Sequence, residues 1–328
     1  MRKVVVVGFG FMGITHTLNI LKNNDLELVA IVDTDTDGIE QKLFQNEGNL
    51  PIGDLDPKMI QGVRKYKRFS DCLKMETFDA VHICVHTNLH YSLTKEALNA
   101  GKHVLLEKPF CLDIREGEDL ISLAQENDCI LMVAHVLRFE PAYLKLKFWI
   151  DSKEYGNLKF LSLSRYSGLP LWGQWKNKQS EFGSSGGALF DLLIHDIDIL
   201  NFMFGLPKKI DSTYLPGSLS NHDYISAFWD YPDFKVKVEG GNTFHSKFPF
   251  QANYMAAFEN ASILYSTSDS DQIQIANHEE IVSIPTGDAD GYYDEIKYFA
   301  DCIHTNSPPK KCMPQSALKS IELCYQHI

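Results

Sequence analysis

The chain has 328 residues, 44% hydrophobic and 23% charged, as expected of a globular protein with one large domain or two. Its net charge of −12 argues against a general nucleic-acid binder or a partner of anionic membranes. No apolar run approaches the roughly 18–20 residues of a membrane span, so no membrane partner is expected.

The opening MRKVVVVGFG is a short apolar run followed by glycines, which reads as a first β-strand rather than a signal peptide. Lys3–Gly8 carries a continuous β-branched run, Val4–Val7, which suits a strand buried on both faces. A helix over Gly13–Asn23, a strand over Leu28–Asp33 and a short helix over Asp37–Asn46 follow. Next comes a loop carrying Gly48, Pro51, Gly53 and Pro57. Asp79–Val85 is another buried strand, Leu89–Ala100 a helix closed by Gly101, His103–Glu107 a strand, Asp113–Asn127 a helix and Ile130–Ala134 a strand. Strands alternating with helices of about 10–15 residues describe a doubly wound parallel sheet with its strand C-termini on one ligand-binding edge. We therefore expect an α/β domain over 1–134, which the glycine motif and the resemblance described below make a dinucleotide-binding Rossmann domain.

The pattern changes after about residue 135. A helix around Pro141–Ile150 leads into Leu158–Tyr166, where polar and apolar residues alternate. Gly186–Gly205 (GGALFDLLIHDIDILNFMFG) reads as one helix, apolar nearly all round and stopped by Gly205 and Pro207. Short alternating strands follow at Ile210–Tyr214, Tyr224–Trp229, Phe234–Glu239, Ala252–Phe258, Ala261–Tyr265, Gln272–Ala276 and Glu280–Ile284. They imply a large, mainly antiparallel sheet with one face covered by the Gly186–Gly205 helix and one face open. Two helices, Gly291–His304 and Gln315–Ile328, end the chain. The second domain, 135–328, is thus α+β, with helices 291–328 expected to pack back toward the Rossmann domain. The seven cysteines are scattered and form no C-x-x-C, which fits a reducing cytoplasm. No H-E-x-x-H or Cys/His cluster calls for a metal.

Three features carry chemistry. Gly8-Phe9-Gly10-Phe11-Met12-Gly13 is a G-x-G-x-x-G that follows a strand and opens a helix, and Asp33 ends the next strand 20 residues after Gly13. The glycines permit a tight turn against a pyrophosphate, and the helix N-terminus favours its charge. Asp33 is placed to accept hydrogen bonds from the adenosine ribose. A carboxylate there repels a 2′-phosphate, so NAD(H) is favoured over NADP(H). Asp35 and Asp37 lie nearby, read as a turn and a helix cap, and no arginine or lysine follows closely in sequence. Glu107-Lys108-Pro109 follows a strand on the ligand edge, where a lysine donates to a reacting oxygen or else simply stands in a stiff turn. Asp191, His195 and Asp198 form a titratable stripe at i, i+4 and i+7 on the apolar helix. Such a stripe is either a satisfied internal pair or an acid/base pair facing a wet cleft.

Taken together, Gly8–Gly13 with His16, then Asn88 and His90, GKHVLLEKPF (101–110), Arg138-Phe139 with Pro141, Gly186-Gly187 with Asp191-x-x-x-His195-x-x-Asp198, and Tyr292-x-x-Glu295-x-x-x-Phe299 run in order along nearly the whole chain. The sequence resembles the family named for glucose–fructose oxidoreductase, inositol dehydrogenase and the rhizopine-catabolism protein (Gfo/Idh/MocA). The resemblance implies a Rossmann domain followed by an open-faced sheet, and oxidation or reduction of a sugar or polyol with NAD or NADP. It implies Lys108 as the catalytic lysine, Asp191 and His195 as the active-site pair with His195 the proton acceptor, and Glu107, Thr87, Asn88 and His90 on the nicotinamide side. It also implies a homodimer or homotetramer formed through the open sheet. His86-Thr87 stands where many members have Thr-Pro, His135 where many have Asn, and Leu193 where many have Gly.

Substrate selection is weakly encoded. In the stretch 168–185, Trp172 or Trp175 would stack on a sugar face or the nicotinamide, or else pack as core or loop residues. Arg165 would meet an anionic group or serve structure. Tyr292 reaches the cofactor region or packs a helix start. His222 and His245 are taken as structural or exposed. The expected activity is hydride transfer between nicotinamide C4 and a secondary alcohol or carbonyl of a sugar, cyclitol or nucleotide-sugar. The alternatives are a carbonyl reductase working mainly toward the alcohol and a non-catalytic NAD-binding sensor.

Overall fold

In the computed structural model, which describes residues 1–44, 55–170, 186–269 and 271–328, the chain begins with β1 (Arg2–Val7). Val4 to Val7 are at most 3% exposed, because helices cover both faces of the strand. β1 pairs in parallel with β2 (Leu26–Val32) and β4 (Ala80–Ile83). With β3 (Arg64–Tyr66), β5 (His103–Glu107) and β6 (Leu131–Ala134) they form a six-stranded sheet in the order β3-β2-β1-β4-β5-β6. The winding direction reverses between β1 and β4, so the crevice beyond their C-termini is the expected ligand position. Helices α1 (Phe11–Lys22), α2 (Ile39–Phe44), α3 (Phe69–Met75), α4 (His90–Asn99) and α5 (Ile114–Glu126) make the connections.

This is the parallel, doubly wound sheet that the alternating pattern foretells. β3 and α3 were not foreseen. β3 is three residues, Arg64, Lys65 and Tyr66, with no apolar run to mark it, as is common for an edge strand guarded by charge.

The chain divides into two units. The first is Met1–His135 with Tyr292–Leu318, and the second Val136–Gly291 with Lys319–Ile328. Within the first unit, α8 (Gly291–Thr305) sets Phe299 edge-on to the His82 ring of β4, with centroids 5.6 Å apart. The Arg2 guanidinium donates to the Ile303 carbonyl.

The second unit opens with α6 (Pro141–Ser152) and β7 (Leu158–Gly168). It continues through β8 (Lys209–Leu215), β9 (Tyr224–Asp230), β10 (Lys235–Phe244), β11 (Gln251–Phe258), β12 (Ser262–Ser266), β13 (Gln272–Ala276) and β14 (Ile281–Pro285). These strands form one sheet, ordered β14-β13-β12-β11-β7-β10-β9-β8 and antiparallel except for the β7–β10 pair. Alternation gives it two faces. Leu161, Leu163, Val236, Val238, Tyr254, Ala256, Ile263 and Ile273 are buried on one. Phe228, Met255 and Leu264 are 47%, 54% and 40% exposed on the other.

The buried face is covered as expected by the Gly186–Gly205 segment, but that segment is not a uniform α-helix. Leu189–Leu193 is a π-helical turn that leads into α7 (Ile194–Phe204). Leu193 seats against Gly240 of β10, where a Cβ would lie 3.0 Å from Leu193 Cδ1 and collide with the Arg165 carbonyl. The last helix, α9 (Pro314–Tyr325), and the tail add to the cover through His327, whose Nε2 accepts from Trp229 Nε1–H at 2.9 Å. No helix among the described residues is long and apolar enough to cross a membrane.

Candidate active site

The glycine turn has the geometry a dinucleotide requires. Gly8 sits at φ +89°, and a Cβ there would strike the Cys84 carbonyl and come within 2.8 Å of the Val85 side chain. Gly13 abuts the Gly8 carbonyl so closely that any Cβ would collide with it. A Cβ on Gly10, by contrast, would meet nothing within 4 Å. The first and third glycines are thus required by packing inside the protein. The second lies at the open face, where backbone must approach a pyrophosphate. No side chain caps the start of α1, which leaves its first N–H groups and dipole suited to phosphate. Phe9 holds the turn in place: its side chain is fully buried with Ile14, Ile31 and Ile39, while its N–H donates to Asp33 Oδ2 at 2.8 Å. These residues fit a nicotinamide dinucleotide.

Asp33 follows β2, where expected, but its surroundings differ from the reading of the sequence. Oδ1 accepts from the Asp35 N–H at 2.9 Å and from Lys42 Nζ at 2.7 Å. No arginine or lysine follows Asp33 closely in sequence, yet a lysine meets it in space. Lys42 is nine residues away in sequence, and α2 folds it back. Asp35 does act in the turn, accepting from the Gly38 N–H.

At the end of β5, Glu107 is buried. Its Oε1 accepts from His16 Nε2–H at 3.0 Å and its Oε2 from the Lys108 N–H at 3.1 Å. His16 Nδ1 lies 3.0 Å from His82 Nδ1. Burial, and then the proximity of His16, push the His82 pKa well below its ordinary value. His82 Nε2 is buried without a hydrogen-bond partner among the described residues. The His16–His82–Glu107 chain was missed from the sequence because its members lie on three separate elements.

Lys108 is half-buried at the same edge, and Thr87 and Asn88 form a 3-10 turn just beyond β4. His90 lies between two backbone carbonyls. It is 1% exposed and bridges the Pro109 carbonyl at 2.8 Å and the Val85 carbonyl at 3.1 Å, so it braces the E-K-P turn against the end of β4. Burial holds its pKa below the ordinary value against the opposing pull of those two carbonyls.

In the second unit, burial sorts the acidic and imidazole groups of the Gly186–Gly205 segment. Asp196 and Asp198 are 0% and 1% exposed, whereas Asp191 and His195 are half-buried. Asp198 accepts from Arg138 Nε at 2.8 Å, from Arg138 Nη2 at 2.6 Å and from Ser320 Oγ at 2.7 Å. Asp196 accepts from Arg165 Nε at 2.6 Å and Nη2 at 3.1 Å, and Arg165 also donates to Tyr143 Oη at 3.3 Å. Two bidentate arginine pairs therefore fix the helix rotationally. Of the two readings of Arg165, the buried pair with Asp196 supports the structural one.

The signal for Arg165 was present in its parity. Leu161, Leu163 and Arg165 point to the same covered face of β7. Asp191 lies within the π turn, a local widening that is frequent at functional sites. Tyr292 stands half-buried in the first turn of α8. Trp172 and Trp175 lie outside the described residues.

Comparison with known proteins agrees with this geometry. Residues 2–135 match a family described as an oxidoreductase family with an NAD-binding Rossmann fold. Residues 143–263 match the GFO/IDH/MocA C-terminal domain. An NADP-linked scyllo-inositol 2-dehydrogenase of Bacillus subtilis is 31% identical over 50% of this chain. The match spans only 46% of that relative. An NAD-linked scyllo-inositol 2-dehydrogenase of the same organism is 24% identical over 94% of this chain and 87% of its own length. Among solved structures, a UDP-N-acetylglucosamine 3-dehydrogenase from Acidithiobacillus ferrooxidans shares the fold, with TM-score 0.76 and 18% identity over 99% of this chain and 96% of its own.

Proposed function

The chain belongs to the Gfo/Idh/MocA oxidoreductase family, and we propose that it is a dehydrogenase or reductase acting on a secondary alcohol or carbonyl of a sugar, cyclitol or nucleotide-sugar, with NAD(H) preferred. The observation that carries this reading is the division of roles along Gly186–Gly205. Two aspartates are locked to arginines, while Asp191 and His195 remain half-buried. Their partial exposure on a largely apolar helix is what an acid/base pair facing a cleft requires.

Bound nicotinamide supplies the hydride acceptor or donor. The Gly8–Gly13 turn and the α1 N-terminus hold the pyrophosphate, and Asp33 accepts from the ribose hydroxyls. Thr87, Asn88 and Glu107 belong to the nicotinamide side, Glu107 acting by fixing the Lys108 backbone. His195 takes the hydroxyl proton in oxidation and returns it in reduction, a task suited to imidazole near neutral pH. Lys108 donates to the substrate oxygen and stabilises charge developing there. Asp191 orients His195 or the substrate. The exposed apolar residues Phe228, Met255 and Leu264 support self-association through the open sheet face.

The test is single-turnover reduction of bound NAD with a panel of sugars, cyclitols and nucleotide-sugars, followed by NADH absorbance. Lys108→Ala and His195→Ala should each slow the step at least ~100-fold while NAD still binds. Near-normal rates in either variant overturn that residue's role. Tight NAD binding with no hydride transfer from any member of the panel favours a sensor.

A further inference from the structure

Asp33 is a carboxylate with about four acceptor positions, and three are already engaged. Phe9 N–H takes Oδ2, while Asp35 N–H and the Lys42 ammonium share Oδ1. The side chains are 10% exposed for Asp33 and 29% for Lys42. A ribose 2′,3′-diol that donates twice to Asp33 needs two acceptor positions. The two backbone donors belong to the glycine turn and the turn after β2, and they cannot leave without unfolding those turns. Lys42 is the donor that can withdraw.

Its position is set by α2. Ile39 is fully buried and Leu43 packs on the same cluster as Phe9, Ile14 and Ile31, which leaves Lys42 on the neighbouring face of the helix, directed at Asp33. Three other cations on and just after β3 are paired with carboxylates. Lys65 pairs with Glu40, Arg64 with Glu76, and Arg68 lies 3.9 Å from Asp71.

The usual reason that an aspartate at this position rejects NADP is repulsion between its carboxylate and the 2′-phosphate. Here an ammonium 2.7 Å away offsets that charge. It is also a phosphate-binding group in its own right.

We propose that Lys42 is the specificity-determining residue of the adenosine end of the cofactor site. It competes with the diol of NAD(H) for Asp33 and pairs with the 2′-phosphate of NADP(H), so that the protein binds both cofactors. This rests on the reading of the glycine turn as a dinucleotide site.

The experiment is calorimetric titration of the full chain with NAD, NADP, ADP-ribose and 2′-phospho-ADP-ribose, which requires no turnover. In the wild type, all four bind. In Lys42→Ala, the ratio of the NADP to the NAD dissociation constant rises at least ~tenfold, the loss expected for one charge-assisted contact, and the ADP-ribose pair shows the same change. Lys42→Arg restores the wild-type ratio. An unchanged ratio in Lys42→Ala, or a wild type that binds NAD while rejecting NADP, overturns the role of Lys42 and leaves the dinucleotide site standing. A wild type that binds none of the four overturns the dinucleotide site itself, and Lys42's role with it.

Discussion

Replacing Arg138 by Met should destabilise the second unit more than any substitution on its surface. Arg138 and Asp198 are both 1% exposed, joined by hydrogen bonds of 2.8 and 2.6 Å. The guanidinium also lies 5.0 Å from the Phe202 ring. Methionine keeps the apolar stem but strands the Asp198 carboxylate in a site built for an ion pair. Breaking such a pair from one side costs about 3–5 kcal/mol, whereas replacing both partners with apolar groups of similar volume is often neutral or better. With an m-value of about 1–3 kcal/mol per molar urea, the single variant should lower the unfolding midpoint by at least ~1 M. Arg138→Met with Asp198→Leu should recover more than half of that loss. The assay is urea unfolding followed by far-UV circular dichroism on the wild type, both singles and the double. A loss under about 1 kcal/mol in Arg138→Met, or a double no more stable than that single, refutes the view that Asp198 is an electrostatically held anchor of the helix.

Three further outcomes are expected. His327 accepts from Trp229 through Nε2 and donates to the Leu323 carbonyl through Nδ1, and burial pushes its pKa down to about 4. Its folded pKa lies below the unfolded one, so its contribution is complete above about pH 6.5 and declines as pH falls toward about 4, by roughly 3 kcal/mol. Thermal melts of His327→Gln should therefore fall less steeply than wild type over that window, and parallel curves would refute this. Gly13→Ala must displace α1 from the Gly8 carbonyl. It should weaken NADH binding at least ~tenfold in a fluorescence titration, and an unchanged affinity would show that the turn does not cradle the pyrophosphate. Phe228→Asp with Met255→Asp should reduce the sedimenting mass to that of one chain. An oligomer that survives both substitutions would place the interface elsewhere.

What the sequence disclosed and what it hid divide along a physical line. The glycine turn, the parallel sheet and the half-open mixed sheet were legible because each is written in contiguous residues. They show as a spacing of glycines, a run of valines, or an alternation of two. Asp191 and His195 were legible as a stripe on a helix, though the π turn under Asp191 left no mark, since LFDLL is as compatible with an α turn as with a π one.

The groups that set charge at the site were not legible. Lys42 reaches Asp33 only because Ile39 and Leu43 bury the neighbouring side of a six-residue helix. Glu107 meets His16, and His16 meets His82, only because α1 lies against the neighbouring strands β4 and β5. Arg165 is a different case, since strand parity aimed it at the covered face, and a buried arginine then demands a carboxylate. Asp196, one residue past His195, was the candidate. Reading a charged residue first by the parity of its strand, and only then as a ligand for substrate, would have assigned it correctly. The same step picks out the two aspartates that hold the helix through buried arginines.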